Sequence, residues 1–280
     1  LLAQTFSDIE LIISDNASTD ATEEICRTYA TQDCRVRYNR NETNLGAAKN
    51  YNLAFQLSSA EYFKWAAADD LVAPEYVERC IEVLDRQPSA VVCHPKTSII
   101  DEQAKYLGDF DDHLDFRSAR PHERFRDYLF RPARMWNAIF GVMRATELAK
   151  TPLIGSYSAS DQVLLGEIVL RGQVHQVPER LFFRRRHSQQ SWRSYHSQSQ
   201  RAVWFDPATT KLKVPRAWKH YAEYLRAIRR VPMNLDEQTW CTFHVTKWLF
   251  KSAAKPVRRG LGLWSKERSA QARIWKGEEA

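Results

Sequence analysis

The run Tyr62-Phe63-Lys64-Trp65-Ala66-Ala67-Ala68-Asp69-Asp70 is apolar and aromatic until it ends in two adjacent carboxylates. Such a run reads as a buried strand, and the helical patterns on either side place that strand in an α/β sheet. Ligands of such sheets sit outside the carboxyl ends of the strands, so Asp69 and Asp70 mark an expected site. Two neighbouring carboxylates repel each other unless a cation or hydrogen-bond donors offset them. A divalent ion with oxygen ligands, which keeps several waters and binds substrate phosphates, would do so. The pair can equally cap a helix starting near Pro74, and the run alone does not choose between the two.

The remainder of the chain suits a globular fold. Its 280 residues are 44% hydrophobic and 12% aromatic, enough for a large core in one domain with an appendage or in two domains. No run approaches the roughly 18 to 20 apolar residues of a spanning helix, and no secretory leader pattern is present, so a cytoplasmic protein is expected. Five cysteines, Cys26, Cys34, Cys80, Cys93 and Cys241, without C-x-x-C spacing, fit reduced thiols. The net charge of +7 is unevenly spread. Residues 201–280 hold 17 Lys and Arg against 7 Asp and Glu, or +10, which leaves −3 for residues 1–200, and they hold six of the nine tryptophans. Tryptophans beside cations on helices suit an anionic lipid surface at the inner face of the cytoplasmic membrane. A solvated face on helices that pack by their tryptophans stays open. No nucleic-acid module is recognisable, so nucleic acid is not an expected partner.

Taken in order, Ile9 to Ile13 reads as a buried strand that Asp15-Asn16-Ala17-Ser18-Thr19-Asp20 breaks. Asp15 and Asn16 then lie at a strand's carboxyl end, facing a ligand or holding an Asx-type turn. Asp20 with Glu23 forms a D-x-x-E capping pattern for a helix from about Ala21 to Ala30. Val36 to Asn39 is a short strand and Ala47 to about Leu57 a helix. Lys49 in that helix's first turn is poorly placed for the dipole but can help hold a phosphate. Val77, Cys80, Ile81 and Leu84 give a helix that covers the sheet. Ala90–Cys93, Thr97–Ile100, a segment within Arg134–Arg144, Gln173–Val177 and Leu181–Arg186 are further strands, while Asp101 to Arg120 reads as a mobile acidic loop. Asp161 sits in the first turn of a helix that Gly172 stops, either projecting into a cleft or capping. Arg184-Arg185-Arg186-His187 gathers cations suited to a polyanion or a metal. Beyond residue 200 the pattern is helical, with Trp218, Tyr221, Leu225 and Ile228 on one face and Trp240 to Phe250 apolar over more than one.

The ordered set Gln4-Thr5-Phe6, ELIISDNASTD over Glu10 to Asp20, Asn44-Leu45-Gly46-Ala47-Ala48-Lys49-Asn50, Ala68-Asp69-Asp70, the SDQ holding Asp161, and Arg186-His187 before Ser191 resembles family 2 glycosyltransferases of the GT-A fold. The resemblance covers roughly residues 4–195. It implies an α/β fold, a mixed sheet flanked by helices, over residues 1–195, with residues 196–280 as a basic, Trp-rich helical extension. The implied activity is inverting transfer of a sugar from a nucleotide-diphosphate donor (UDP-, GDP- or dTDP-sugar) to a hydroxyl of a saccharide or lipid-linked acceptor, in cell-envelope polysaccharide or glycolipid synthesis. By the same resemblance Asp15, Asn16, Lys49, Asp69 and His187 hold the donor. Asp70, with His187, holds Mg2+ or Mn2+, and Asp161 is the catalytic base. The family's second nucleotide carboxylate is Asn16 here, and the first strand of V-S-V-I-I-P-x-Y-N type is missing. Lower stability and activity than in an N-terminally extended version are therefore expected. A non-catalytic nucleotide-sugar-binding relative and a metal-dependent phosphoryl hydrolase remain as rival functions.

Overall fold

The computed structural model describes residues 1–111, 113–131, 136–188, 198–208 and 214–253. Two sheets organise it. The smaller is a parallel pair, β1 (Leu11–Asp15) beside β2 (Val36–Arg40), crossed over by α1 (Thr22–Gln32). α2 (Ala47–Gln56) packs against β1 and leads towards the larger sheet. That sheet has six strands: β3 (Tyr62–Phe63), β4 (Leu71–Val72), β5 (Ala90–Ile100), β6 (Tyr106–Phe110), β7 (Val142–Arg144) and β8 (Gln173–Arg185). Their order is β3-β7-β5-β8-β4, with β6 pairing with β5. β5 and β8 run parallel at its centre and the other pairs are antiparallel.

A central strand covered on both faces needs a nearly continuous apolar run, and Ala90-Val91-Val92-Cys93 supplies it. On one face α3 (Tyr76–Arg86) buries Tyr76, Cys80, Ile81 and Leu84 against Ala90, Cys93, Val142 and Phe182. On the other, α4 (Pro121–Phe130) and α6 (Ser160–Arg171) bring Phe125, Tyr128, Leu164, Leu165 and Ile168 to Val91 and Val92. The short α5 (Ala145–Leu148) follows β7. Three helices complete the described chain: α7 (Gln198–Phe205), α8 (Arg216–Arg230) and α9 (Leu235–Ala253). α8 packs on α6 and α9 on α4, so Tyr224, Ala227, Cys241 and Val245 join the same core. No disulfide links any of the five cysteines.

Several expectations are corrected. The run Tyr62 to Asp70 is not a strand throughout: only Tyr62 and Phe63 pair, with β7, and the chain then leaves the sheet. Nor is the run buried throughout: only Phe63 and Trp65 are, while Ala66 and Ala68 are exposed. Trp65 turns towards α2, meets Phe63 edge-on at 5.1 Å and donates from Nε1 to the Tyr51 carbonyl at 2.8 Å. Neither carboxylate caps α3, whose N-cap is Glu75. The D-x-x-E box does not close, because Asp20 bonds Thr22 while Glu23 pairs with Arg27 and Arg40. The two halves expected around Pro95 are one strand, as are the two around Pro178. The β5–β8 register shifts where Pro95 pairs with Val177 and Lys96 with Arg180, so the prolines sit in an irregularity that spares the ladder. The loop over Asp101 to Arg120 contains β6 and anchors Leu114 and Phe116 in the core. Asn137–Phe140 forms a 3-10 turn before β7. On α8 the inward face is His220, Tyr224, Ala227 and Ile228, with Trp218 exposed. Ser191, Trp264 and Trp275 lie outside the described residues.

Candidate active site

Asp15 closes β1 with its side chain buried. Its Oδ1 accepts from the Ser18 amide at 2.9 Å and its Oδ2 from the Tyr38 hydroxyl at 2.7 Å, with Arg40 Nε 3.6 Å away. Burial works against its ionisation, but these donors outweigh it and hold the carboxyl below the ordinary value. Asn16 follows and is held on three sides. Its Oδ1 accepts from the Leu45 amide at 2.9 Å and from Asn41 Nδ2 at 3.2 Å, and its Nδ2 donates to Asn44 Oδ1 at 2.8 Å. Asn44 Oδ1 also takes the Gly46 amide, so an aspartate at 16 would set two acceptors face to face. Asn50, on α2, completes the web by bonding Ser14 and Asn41. The next turn of polar contacts belongs to Lys49, exposed and 3.9 Å from the Asp206 carboxylate.

α2 also reaches the other half of the site. Asp69 Oδ2 lies 2.8 Å from His187 Nε2, and Asp70 Oδ1 accepts from the Arg185 amide at 2.9 Å. Arg185 Nε binds the Asp69 carbonyl, so the end of β8 and the carboxylate pair are mutually fixed. Burial pushes Asp70 up to about 6; Arg184 opposes the rise and the charge of Asp69 adds to it. Asp161 stands in the first turn of α6, as expected. Burial raises its carboxyl too, countered by Arg216 and Arg184. Arg184 is oriented by Asn137, whose Oδ1 accepts from it at 2.6 Å while Nδ2 donates to Thr97 Oγ1. Arg216, from the start of α8, donates to Gln162 Oε1 at 3.0 Å, and Tyr128 and Tyr224 both bond the Gln162 carbonyl.

Tyr51 ties the set together. Burial pushes its phenol up to about 12, and the charges of Asp69, Asp70 and Asp161 all add to the rise, with Arg184 opposing. Three carboxylates from two separate segments thus act on one hydroxyl. Sequence reasoning misses Tyr51, Asn137, Gln162 and Arg216, although Tyr51 stands two residues after Lys49. Among the described residues no group of three or more His, Cys, Asp or Glu side chains could hold a metal ion unaided. The donor set suits a hard divalent ion all the same, because such an ion uses one or two carboxylates and completes its shell with water and phosphate oxygens.

Residues 1–143 match the family model described as "Glycosyl transferase family 2". Glycosyltransferase GlyG of Streptococcus pneumoniae is 34% identical over 92 residues, covering 33% of this chain and 31% of that protein. Abequosyltransferase RfbV of Salmonella typhimurium is 34% identical over 90 residues, covering 32% of this chain and 27% of its own length. The chain therefore spans about a third of the length of the curated relatives it matches. Among solved structures, S. aureus TarS 1-349 in complex with UDP superposes with a TM-score of 0.62 at 14% identity, over 94% of this chain and 69% of that one. The same protein in complex with UDP-GlcNAc gives 0.59 over 89% and 66%. These likenesses show the fold, a GT-A mixed sheet flanked by helices.

Proposed function

The chain belongs to glycosyl transferase family 2, and on that premise we propose that it transfers a sugar, with inversion, from a nucleotide-diphosphate donor to an acceptor hydroxyl. The observation that carries the reading is the way the end of β8 fixes the carboxylate pair, with His187 Nε2 2.8 Å from Asp69 and the Arg185 amide donating to Asp70 at 2.9 Å. The web around Asn16 lies at the carboxyl end of β1, where an α/β fold takes its ligand, and Lys49 stands in the first turn of α2. UDP-sugars are the first donors to try, since TarS is described with UDP and with UDP-GlcNAc.

In this reading Asp161 accepts the acceptor hydroxyl's proton as the oxygen attacks the anomeric carbon. A well-placed base contributes roughly 10²- to 10⁴-fold. Arg216 and Arg184 offset part of the burial that raises the Asp161 carboxyl. Arg184 and the cations that follow it face the negative charge growing on the departing diphosphate. Asp70, with His187 and Asp69 beside it, would hold Mg2+ or Mn2+, which supplies further stabilisation of that charge. The acceptor is a saccharide or lipid-linked hydroxyl of cell-envelope synthesis.

Incubation with a panel of nucleotide sugars and Mn2+ tests this. The expected result is release of nucleoside diphosphate, reduced at least about a hundredfold in Asp161→Asn and Asp70→Ala. Release of inorganic phosphate regardless of the sugar would instead make it a hydrolase. Tight donor binding without turnover would make it a non-catalytic binding relative.

A further inference from the structure

α9 gives one face to the core, where Cys241, Val245 and Leu249 are buried. The opposite face keeps large apolar rings in solvent, Phe243 53% and Phe250 70% exposed, and on its flank Trp240, 45% exposed, stacks on His122 and His244. At 3.6 residues per turn, Phe243 and Phe250 lie nearly in line, about 10 Å apart along the axis. Lys247 falls between them, with Trp240 and Lys251 beside the line. The ammonium groups of Lys247 and Lys251 flank this face, standing 5.9 and 5.4 Å from the Phe130 ring of α4. The acids of α9 are confined to its first turn and are engaged, Asp236 by Arg120 and Glu237 by Arg120 and His122. From Trp240 to Ala253 the helix carries lysines and no acid.

We infer that this face of α9 docks on an anionic lipid surface, with its rings among the headgroups and its two lysines against their negative charge. Exposed aromatics flanked by lysines on a helix with a buried opposite face are what an interfacial segment needs. The charge complement extends along the chain, because residues 201–280 carry 17 Lys and Arg against 7 Asp and Glu and the sequence runs on through Lys255, Arg258 and Arg259. A second copy fits the same face poorly. Two-fold pairing would bring Lys247 and Lys251 towards their own counterparts, and lysine is depleted at the centres of protein interfaces. Among the described residues no helix is long and apolar enough to cross a membrane, so the contact lies on the surface. This inference is independent of the transfer chemistry.

Sedimentation of the full chain with vesicles tests it, using phosphatidylcholine alone and mixed with phosphatidylglycerol, at low and high salt. Binding to the mixed vesicles should exceed binding to the neutral ones by about tenfold or more and weaken as salt rises. The double variant Phe243→Ser/Phe250→Ser, and separately Lys247→Gln/Lys251→Gln, should each lose about tenfold with circular dichroism unchanged. Equal binding to both vesicles, no binding to either, or undiminished binding by the aromatic variant would overturn the inference. So would a dimer in light scattering that the aromatic variant dissolves, which would make the face an interface between copies.

Discussion

Asp70 faces two demands of opposite sign. Burial holds its folded value near 6 against 3.8 for an ordinary aspartate. The charged form therefore costs stability above about pH 6, and that cost vanishes as pH falls below the unfolded value. In its proposed role as a cation ligand the demand runs the other way, because the carboxyl must shed its proton first. The Mn2+ dissociation constant should therefore rise about tenfold for each pH unit below 6. Calorimetric titration on either side of that value checks it, and a constant affinity would put the cation elsewhere. The chemistry-bearing residues of this site can be read from the sequence where a carboxylate or amide ends an apolar run, as at Asp15, Asn16, Asp69 and Asp70. Tyr51, Asn137 and Arg216 cannot be read that way. Tyr51 has the helical period of a core residue, Asn137 sits inside an apolar segment, and Arg216 reaches Gln162 through packing that no local pattern encodes.

Elements built around backbone geometry carry their own test. Gly46 has φ of +82°, and a Cβ there would lie 2.5 Å from Pro207 Cδ and 2.7 Å from the Phe205 carbonyl. The turn after α7 is thus seated on the start of α2. Gly46→Ala should destabilise the protein by at least ~1 kcal/mol from the backbone alone, and by more once the contact is counted. Thermal melting checks this, and an unchanged midpoint would mean that residues 205–207 move aside freely. Helices are legible in this chain because their apolar period is long enough to be unambiguous, as in α3. Strands are less so. β3 and β4 are each two residues long and exist only through their partners, while Pro95 and Pro178 split two long strands into apparent halves.

At the scale of the molecule, the late helices are held by more than apolar contact. Glu237 accepts from the His122 amide and from its Nδ1, at 2.9 and 2.8 Å, and from Arg120 Nε at 3.2 Å. Burial disfavours its charge, yet these donors bring its carboxyl below the ordinary value. Its stabilising effect is therefore present above the unfolded value of 4.5 and is lost as pH falls through the folded one. Glu237→Gln should cost about 1–3 kcal/mol in denaturant unfolding, against at most ~0.5 kcal/mol for the exposed Asp236→Asn. Equal losses would remove Glu237 as the tie between α9 and α4. That α8 and α9 share a core with α4 and α6 cannot be read from composition, which records tryptophans and charge but not which face turns inward. Two polar regions of the fold differ in kind. Asn16, Asn41, Asn44 and Asn50 form a web of amides that neither gain nor lose a proton, whereas Asp70 and Asp161 are carboxyls that burial raises. Acidification towards pH 6 would therefore neutralise Asp70 while leaving the amide web in shape, so the two regions answer differently to the same change of acidity.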